Sequence, residues 1–339
     1  MFRLAQAESP RNVGSVEPAE RHDALVALLR RGARDGVVPF SRLVAAALYA
    51  PGLGYYVAER ARVGKGAGTD FTTAAALGPM FGELVAAAAA RLVGDLAAHT
   101  LVEVGAEPGQ AHFAGVASAF ASHRVFRVGE HPELSGRSVL VANELFDAQP
   151  FDRFIFRDGA WRELGVRVDG PALAPEVLPA FTDPAAAHFV AGLPPAAEGW
   201  ILDVPFEAER LMAKLLAGGW QGAVIFLDYG KTVAQCLESS PAGTARAYHR
   251  HQLSGDILAR LGSQDLTCHV LWDRLEPVLR SAGFRTGLER QEAFFVKHAA
   301  AAMERIARAG DPEATGRLRA LTHPAHFGSK FQVLHGVRG

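Results

Sequence analysis

Four short, largely apolar runs, at 100–104, 138–142, 200–204 and 222–228, are rich in β-branched residues and bounded by turn-forming ones. Continuous apolar runs of this length suit strands covered on both faces, as in a parallel sheet. Helical spacing is expected between them, at about 110–121 and 206–217, so β and α elements alternate. That order predicts an open α/β sheet, in which ligands collect where strands end at their carboxyl sides. Apolar residues make up 49% of the 339-residue chain, enough to bury a large core.

Two of these strand ends carry chemistry. The run Val139-Leu-Val-Ala leads into Asn143-Glu144 and turns at Asp147 and Pro150, placing an amide and two carboxylates where a buried strand stops. The run Leu101-Val-Glu-Val-Gly-Ala-Glu-Pro-Gly109 reads as a strand followed by a glycine turn. Glycines there let the backbone approach a ligand, and a following helix would offer free amides.

Around this core, residues 1–20 read as a flexible tail, and helices are expected at 21–34, Phe40 to Tyr49 and about Gly78 to Leu96. Residues 51–73, with many glycines and aromatics, have the chemistry of an ordered functional loop. Residues 152–198 read as an insertion of antiparallel strands and loops, and 230–268 as a second insertion. A helix at 271–282 precedes strands near 288–297 and 329–334.

The charge balance, 35 basic against 36 acidic residues, argues against a nucleic-acid binder that works by neutralising phosphates. Cys236 and Cys268 have neither disulfide nor zinc spacing, so no metal is expected and a reducing cytoplasm fits. Asp265 and His269 are four apart, a spacing better explained by a salt bridge than by a metal pair. No apolar run reaches membrane-spanning length, and the N-terminus lacks the pattern of a secretory signal.

Several motifs, taken together and in order, resemble those of one family. They are Leu48-Tyr-Ala-Pro-Gly-Leu-Gly-Tyr-Tyr56, Thr69-Asp-Phe-Thr-Thr-Ala74 with Gly78-Pro-Met-Phe-Gly82, and Asn143-Glu-Leu-Phe-Asp-Ala-Gln-Pro150 with Trp161-Arg-Glu163. Asp228-Tyr-Gly230, the stretch from Gly243 to His251, Gln264-Asp-Leu-Thr-Cys-His-Val270 and Gly328-Ser-Lys-Phe331 continue the series. The chain resembles the MidA-type family of S-adenosylmethionine-dependent methyltransferases from about residue 25 to 335.

The resemblance implies a Rossmann-like class I methyltransferase sheet, over 99–339, with a helical cap and glycine-rich loop at 21–98 and substrate-side insertions at about 152–198 and 230–268. It implies S-adenosylmethionine as cofactor. The family's mitochondrial branch methylates a protein arginine during respiratory complex I assembly. A protein substrate is therefore expected, with a respiratory-complex subunit as one candidate; a small-molecule acceptor is the less favoured alternative, given the size of the insertions.

Within that frame, Glu144, Asn143 and Asp147 are the catalytic candidates. A carboxylate pair can hold a guanidinium by paired charge-assisted hydrogen bonds, although Asn143 and Asp147 could equally cap a turn. Cofactor contacts are expected from Glu103, Gly105, Ala106 and Gly109, from Asp70 in the glycine loop, and from Glu130. Tyr56, Asp228, Tyr229 and His251 are candidates for the substrate side, each with a structural alternative.

Two departures from the family pattern bear on activity. Glu107 stands where the family has a middle glycine, and its carboxylate would crowd the cofactor. Only about 28 residues separate Gly109 from the strand at 138, where the family places two strands and a helix. Either Val125-Phe-Arg-Val-Gly-Glu130 is the strand that carries the ribose-binding acid, Glu130, or that strand is deleted; the short spacing favours deletion. These departures keep open a second function, a catalytically inactive relative acting as a binding or assembly factor.

Overall fold

Along each central strand, alternate side chains enter different cores, which is why the strands are apolar without a break. Val139, Val141, Ile225 and Leu227 face one hydrophobic cluster, while Leu140, Ala142, Val224 and Phe226 face another. The computed structural model describes residues 17–57, 78–106, 111–130, 132–170, 172–250, 252–323, 328 and 330–339. These residues form two compact units, each assembled from separated stretches of chain.

The larger unit, from described residue 78 to Asp147 with Pro205–Ala234 and His269–Gly339, holds a six-stranded sheet. Its strands, numbered here in chain order, are β1 (Thr100–Val104), β2 (Ser122–Phe126), β3 (Arg137–Asn143), β4 (Gln221–Asp228), β5 (Arg285–Arg290) and β6 (Gln332–Arg338). The spatial order is β5-β6-β4-β3-β1-β2. β2, β1, β3 and β4 are parallel, and β6 runs antiparallel between β4 and β5. On one face lie the helices Pro79–Val93, Gln291–His298, Ala300–Arg308 and Pro312–Thr322, through Phe81, Leu84, Phe294, Phe295, Ile306 and Leu321. On the other lie Phe206–Leu215 and Trp272–Ser281, through Met212, Leu215, Trp272 and Leu279. This is a doubly wound α/β sheet whose strand order reverses between β1 and β3.

Several sequence expectations are corrected here. A strand does lie beside β1 where deletion was favoured, but it is Ser122–Phe126, and it is the one strand described between β1 and β3. The expected helix at 110–121 is a short 3-10 turn, Ala114–Ala119. The strand expected at 288–297 ends at Arg290 and gives way to the helix Gln291–His298. Phe294 and Phe295 are both fully buried, which adjacent residues of a strand packed on one face cannot achieve. The run at 200–204 is a strand, Ile201–Val204, but it pairs antiparallel with Asp152–Arg157 and takes no part in the parallel sheet. The first helix begins at Pro18, inside the expected tail.

The smaller unit combines residues 17–57 with Ala148–Val204 and Gln235–Cys268. Its five-stranded sheet runs Val37–Pro39, Ala160–Arg167, Asp152–Arg157, Ile201–Val204, with Ala174–Val177 on a side branch, all antiparallel. The helices Pro18–Arg31 and Phe40–Tyr49 contribute Leu25, Leu29, Leu43 and Val44 to one core with Phe151, Val166 and Leu266.

Two motifs of the sequence act as fasteners in this unit. The Trp161 indole donates to the Pro194 carbonyl (3.0 Å), and the buried Glu163 accepts from the Thr182 backbone N–H (2.7 Å) and hydroxyl (2.6 Å). Burial pushes the Glu163 carboxyl above its ordinary range, with the Thr182 bonds opposing. Asp203 accepts both arms of the Arg153 fork (2.7 and 3.2 Å) and the backbone N–H groups of Thr244 (2.7 Å) and Ala245 (2.8 Å). Gly243, at φ +76°, leaves room for this: a Cβ there would stand 2.3 Å from the Asp203 carboxylate. Asp203→Ala should therefore cost about 3–5 kcal/mol, since it strands a largely buried guanidinium and two amides. Urea unfolding of the variant measures that loss.

Candidate active site

The site residues of the larger unit gather at the carboxyl ends of β1, β2, β3 and β4. β1 closes on Gly105, whose N–H bonds the carbonyl of Phe126 at the end of β2 (2.9 Å); Ala106 N–H reaches the same oxygen at 3.3 Å. Gly105 has φ +85°, and a Cβ there would lie 3.1 Å from the Leu145 side chain. The turn thus needs glycine twice, for its left-handed backbone and for its approach to the β3 turn. Glu103 is 3% exposed and points back into the fold: its Oε1 accepts from the His112 N–H (2.9 Å), and its Oε2 lies 3.4 Å from His123 Nε2. It ties the stretch after the turn to the sheet.

Beyond β2, Glu130 is exposed, and its carboxylate accepts from the Arg127 N–H (2.8 Å), closing its own turn. Gly109 and Glu107 lie outside the described residues, as do Asp70 and His251.

The end of β3 is the most constrained part. Asn143 still pairs with Leu227 of β4, and the Glu144 N–H bonds the Leu227 carbonyl at 2.9 Å. Glu144 then takes φ +52°, a left-handed conformation that costs a non-glycine residue about 1–2 kcal/mol. Its half-buried side chain accepts through Oε1 from the Asn143 amide (3.0 Å), while Asn143 Oδ1 is buried with no hydrogen-bond partner among the described residues. A left-handed backbone angle at a non-glycine residue persists only because the surrounding structure maintains it.

The turn is held from beneath by Asp228, the last residue of β4, which is fully buried. Asp228 Oδ2 accepts from the N–H groups of Phe146 (2.9 Å) and Asp147 (3.2 Å), and Oδ1 from that of Tyr229 (2.8 Å). Burial pushes the Asp228 carboxyl well above the usual range; the Asp147 charge, and more weakly the Glu144 charge, push the same way, against its N–H donors. Asp228, expected on the substrate side, is in place as the anchor of the β3 turn. Asp147 is itself buried, at 3% exposure. Tyr229 is half-buried with its ring edge-on to those of His269 (5.6 Å) and Phe331 (5.5 Å). Gly230 completes this motif: a Cβ there would stand 2.3 Å from the Val270 carbonyl, and its N–H bonds Gln332 Oε1 (3.1 Å).

Tyr56 belongs to the smaller unit. It stacks on Tyr49 (5.6 Å), packs edge-on to Tyr55 (5.1 Å) and donates its hydroxyl to Asp265 Oδ1 (2.9 Å). Asp265 sits in the strand Asp265–Thr267.

A doubly wound sheet with a glycine turn after β1 and a strained carboxylate turn after β3 has the design of an α/β fold that binds a nucleoside-type ligand at its switch point. A family model described as "Putative S-adenosyl-L-methionine-dependent methyltransferase" matches residues 87–288, and the chain belongs to that family. It is a methyltransferase of class I fold with S-adenosylmethionine as methyl donor. A protein of Burkholderia thailandensis, solved with S-adenosyl-homocysteine bound, is 26% identical with a TM-score of 0.84, over 96% of this chain and 95% of that one. A native structure from the same organism is 25% identical with a TM-score of 0.81, over the same shares. No curated protein matches the chain.

The residues present fit the cofactor. Gly105 keeps the β1 turn free of a side chain, and the buried, unpartnered Asn143 Oδ1 offers an acceptor at the end of β3. Gly105→Ala is expected to lose about 1–2 kcal/mol of stability through its backbone alone. It should also weaken S-adenosylmethionine binding by more than the unfolded fraction explains; calorimetric titration beside a melting curve separates the two effects.

Proposed function

We propose that the protein methylates a protein side chain, with arginine as the acceptor. The observation that carries this reading is the turn after β3, where Glu144 is held left-handed beside Asn143 above the buried Asp228. Burial foremost, and then the nearby Asp147 and Glu144 charges, raise the Asp228 pKa. A cation beside Glu144 would offset that crowding of carboxylates. A guanidinium meets that need and matches a carboxylate in shape.

In this reading the backbone at Gly105 and Ala106 and the carboxylate of Glu130 hold the donor, as the bound relative's similarity supports. S-adenosylmethionine, when bound, supplies a methyl group on a positively charged sulfur. Glu144 does the positioning. Asn143 donates to its Oε1, and the carboxylate would orient the guanidinium and take the proton that the attacking nitrogen loses. Orientation of this kind accounts for most of what such a site needs to supply. Asp147, buried, adds negative potential without touching the acceptor. Tyr229 is proposed to border the acceptor, a protein partner, with Tyr56 and His251 kept as candidates by sequence alone; a respiratory-complex subunit is one such partner and complex I assembly one such setting.

No helix among the described residues is long and apolar enough to cross a membrane. Cys236 and Cys268 are buried, and a cytoplasmic setting is proposed because their spacing suits neither a disulfide framework nor a zinc site.

The test is transfer of isotopically labelled methyl from S-adenosylmethionine to proteins of the source cell, followed by hydrolysis and mass spectrometry. Methylarginine is the expected product. Label on lysine or on small molecules would overturn the acceptor. Absence of any transfer by protein that binds the cofactor would favour the non-catalytic assembly role.

A further inference from the structure

Away from the β3 turn, three side chains from three elements converge at the β5–β6 edge of the sheet. They are Glu289 on β5, His298 at the end of the helix Gln291–His298, and His335 in the middle of β6. We propose that Glu289, His298 and His335 form a binding site for a divalent cation of the zinc type.

One ligand atom from each residue lies within 4.8 Å of the others. Glu289 Oε1 is 3.1 Å from His335 Nε2 and 3.5 Å from His298 Nε2. Ligand atoms about 2.0–2.2 Å from a tetrahedral zinc ion stand roughly 3.3 Å apart, so small side-chain adjustments suffice. Two nitrogens and one oxygen is a donor set suited to zinc and cobalt.

The rings are seated for this arrangement. Phe294 packs against both, with ring centroids at 4.8 Å from His298 and 5.2 Å from His335. His335 pairs across the sheet with Gly287, where a Cβ would stand 2.5 Å from its Nε2; the glycine makes the space for the imidazole. Burial lowers the pKa of both histidines, with the Glu289 charge opposing.

Hydrogen bonding accounts poorly for the cluster. Glu289 Oε1 faces both imidazoles and also Lys297 Nζ at 2.8 Å, three partners for an oxygen with two lone pairs. A metal ion would relieve that crowding. Lys297 is 63% exposed and free to swing into water, whereas the three ligand side chains are 10–18% exposed. His335 pairs with Ile225, three residues before Asp228, which sets the cluster about 10 Å down the strands from the end of β4. The site would clip β5, β6 and the helix Gln291–His298 together.

Titration of the full chain with Co²⁺, in competition with Zn²⁺, tests the proposal. The expected result is one equivalent bound with tetrahedral visible bands, no thiolate charge-transfer band, and a raised melting temperature. Glu289→Gln and His298→Ala, each checked for folding by its melting curve, should each weaken binding more than tenfold. Lys297→Met, by removing the competing cation, should tighten it. Folded protein that binds no Co²⁺ would overturn the site. So would binding unchanged in both ligand variants, or a thiolate band assigning the metal to cysteine.

Discussion

Glu144→Gln is expected to lower methyl transfer about 10²–10³-fold while leaving the melting temperature within a few degrees of the parent. Glutamine preserves the shape of the side chain and can still accept from Asn143. It removes the negative charge and the oxygen that would take the proton. Binding of S-adenosylmethionine should change little, so the loss falls on turnover. A variant that turns over at the parental rate would remove Glu144 from the reaction. Glu144→Gly sharpens the test. Glycine accepts φ +52° without penalty, so this variant should be at least as stable as the parent, by up to about 1 kcal/mol, and inactive. Greater stability with lost activity would show that the strain at Glu144 is kept for function.

Asp228→Ala is expected to be the most damaging single change in the larger unit, costing roughly 4 kcal/mol. It leaves the N–H groups of Phe146, Asp147 and Tyr229 buried without their acceptor, each worth about 1–3 kcal/mol. Asp228→Asn keeps one acceptor and should fold, with a looser β3 turn and much reduced turnover. The pH dependence gives its signature. Because the folded state raises the Asp228 pKa above its ordinary value of 3.8, the folded state holds the proton more tightly than the unfolded chain. Its contribution is complete below that value and declines as pH rises through the folded pKa. The stability gap between parent and Asp228→Asn should therefore narrow as pH rises from about 4. A gap independent of pH would mean that folding leaves the Asp228 pKa unshifted.

The parts of this fold legible in sequence are those that depend on local pattern. β1, β3 and β4 were visible because both faces of each strand are buried, and Gly105 because its turn demands a left-handed residue. Ile201–Val204 was misassigned to the parallel sheet because a four-residue apolar run looks alike in parallel and antiparallel settings. The work of Asp203 and Asp228 could not be read. Each carboxylate is satisfied by amides and cations distant in sequence, and nothing in a local window distinguishes such an anchor from a ligand contact. The cluster at Glu289, His298 and His335 was invisible for the same reason: its members have no motif spacing and meet only when β6 pairs with β5.

The pairing of β3 with β4 has a consequence for how the protein is made. These strands align from Arg137 against Gln221 to Asn143 against Leu227, yet roughly 80 residues lie between them, including most of the smaller unit's sheet. Closing a loop of that length precedes any reward from the contacts it permits, so this step is intrinsically slow. Until it is complete, the amides of Phe146 and Asp147 have no Asp228 to bind, and Glu144 has no reason to hold its unfavourable backbone angle. A nascent chain released too early, or a partly unfolded one, would therefore keep its helices and lose its chemistry first.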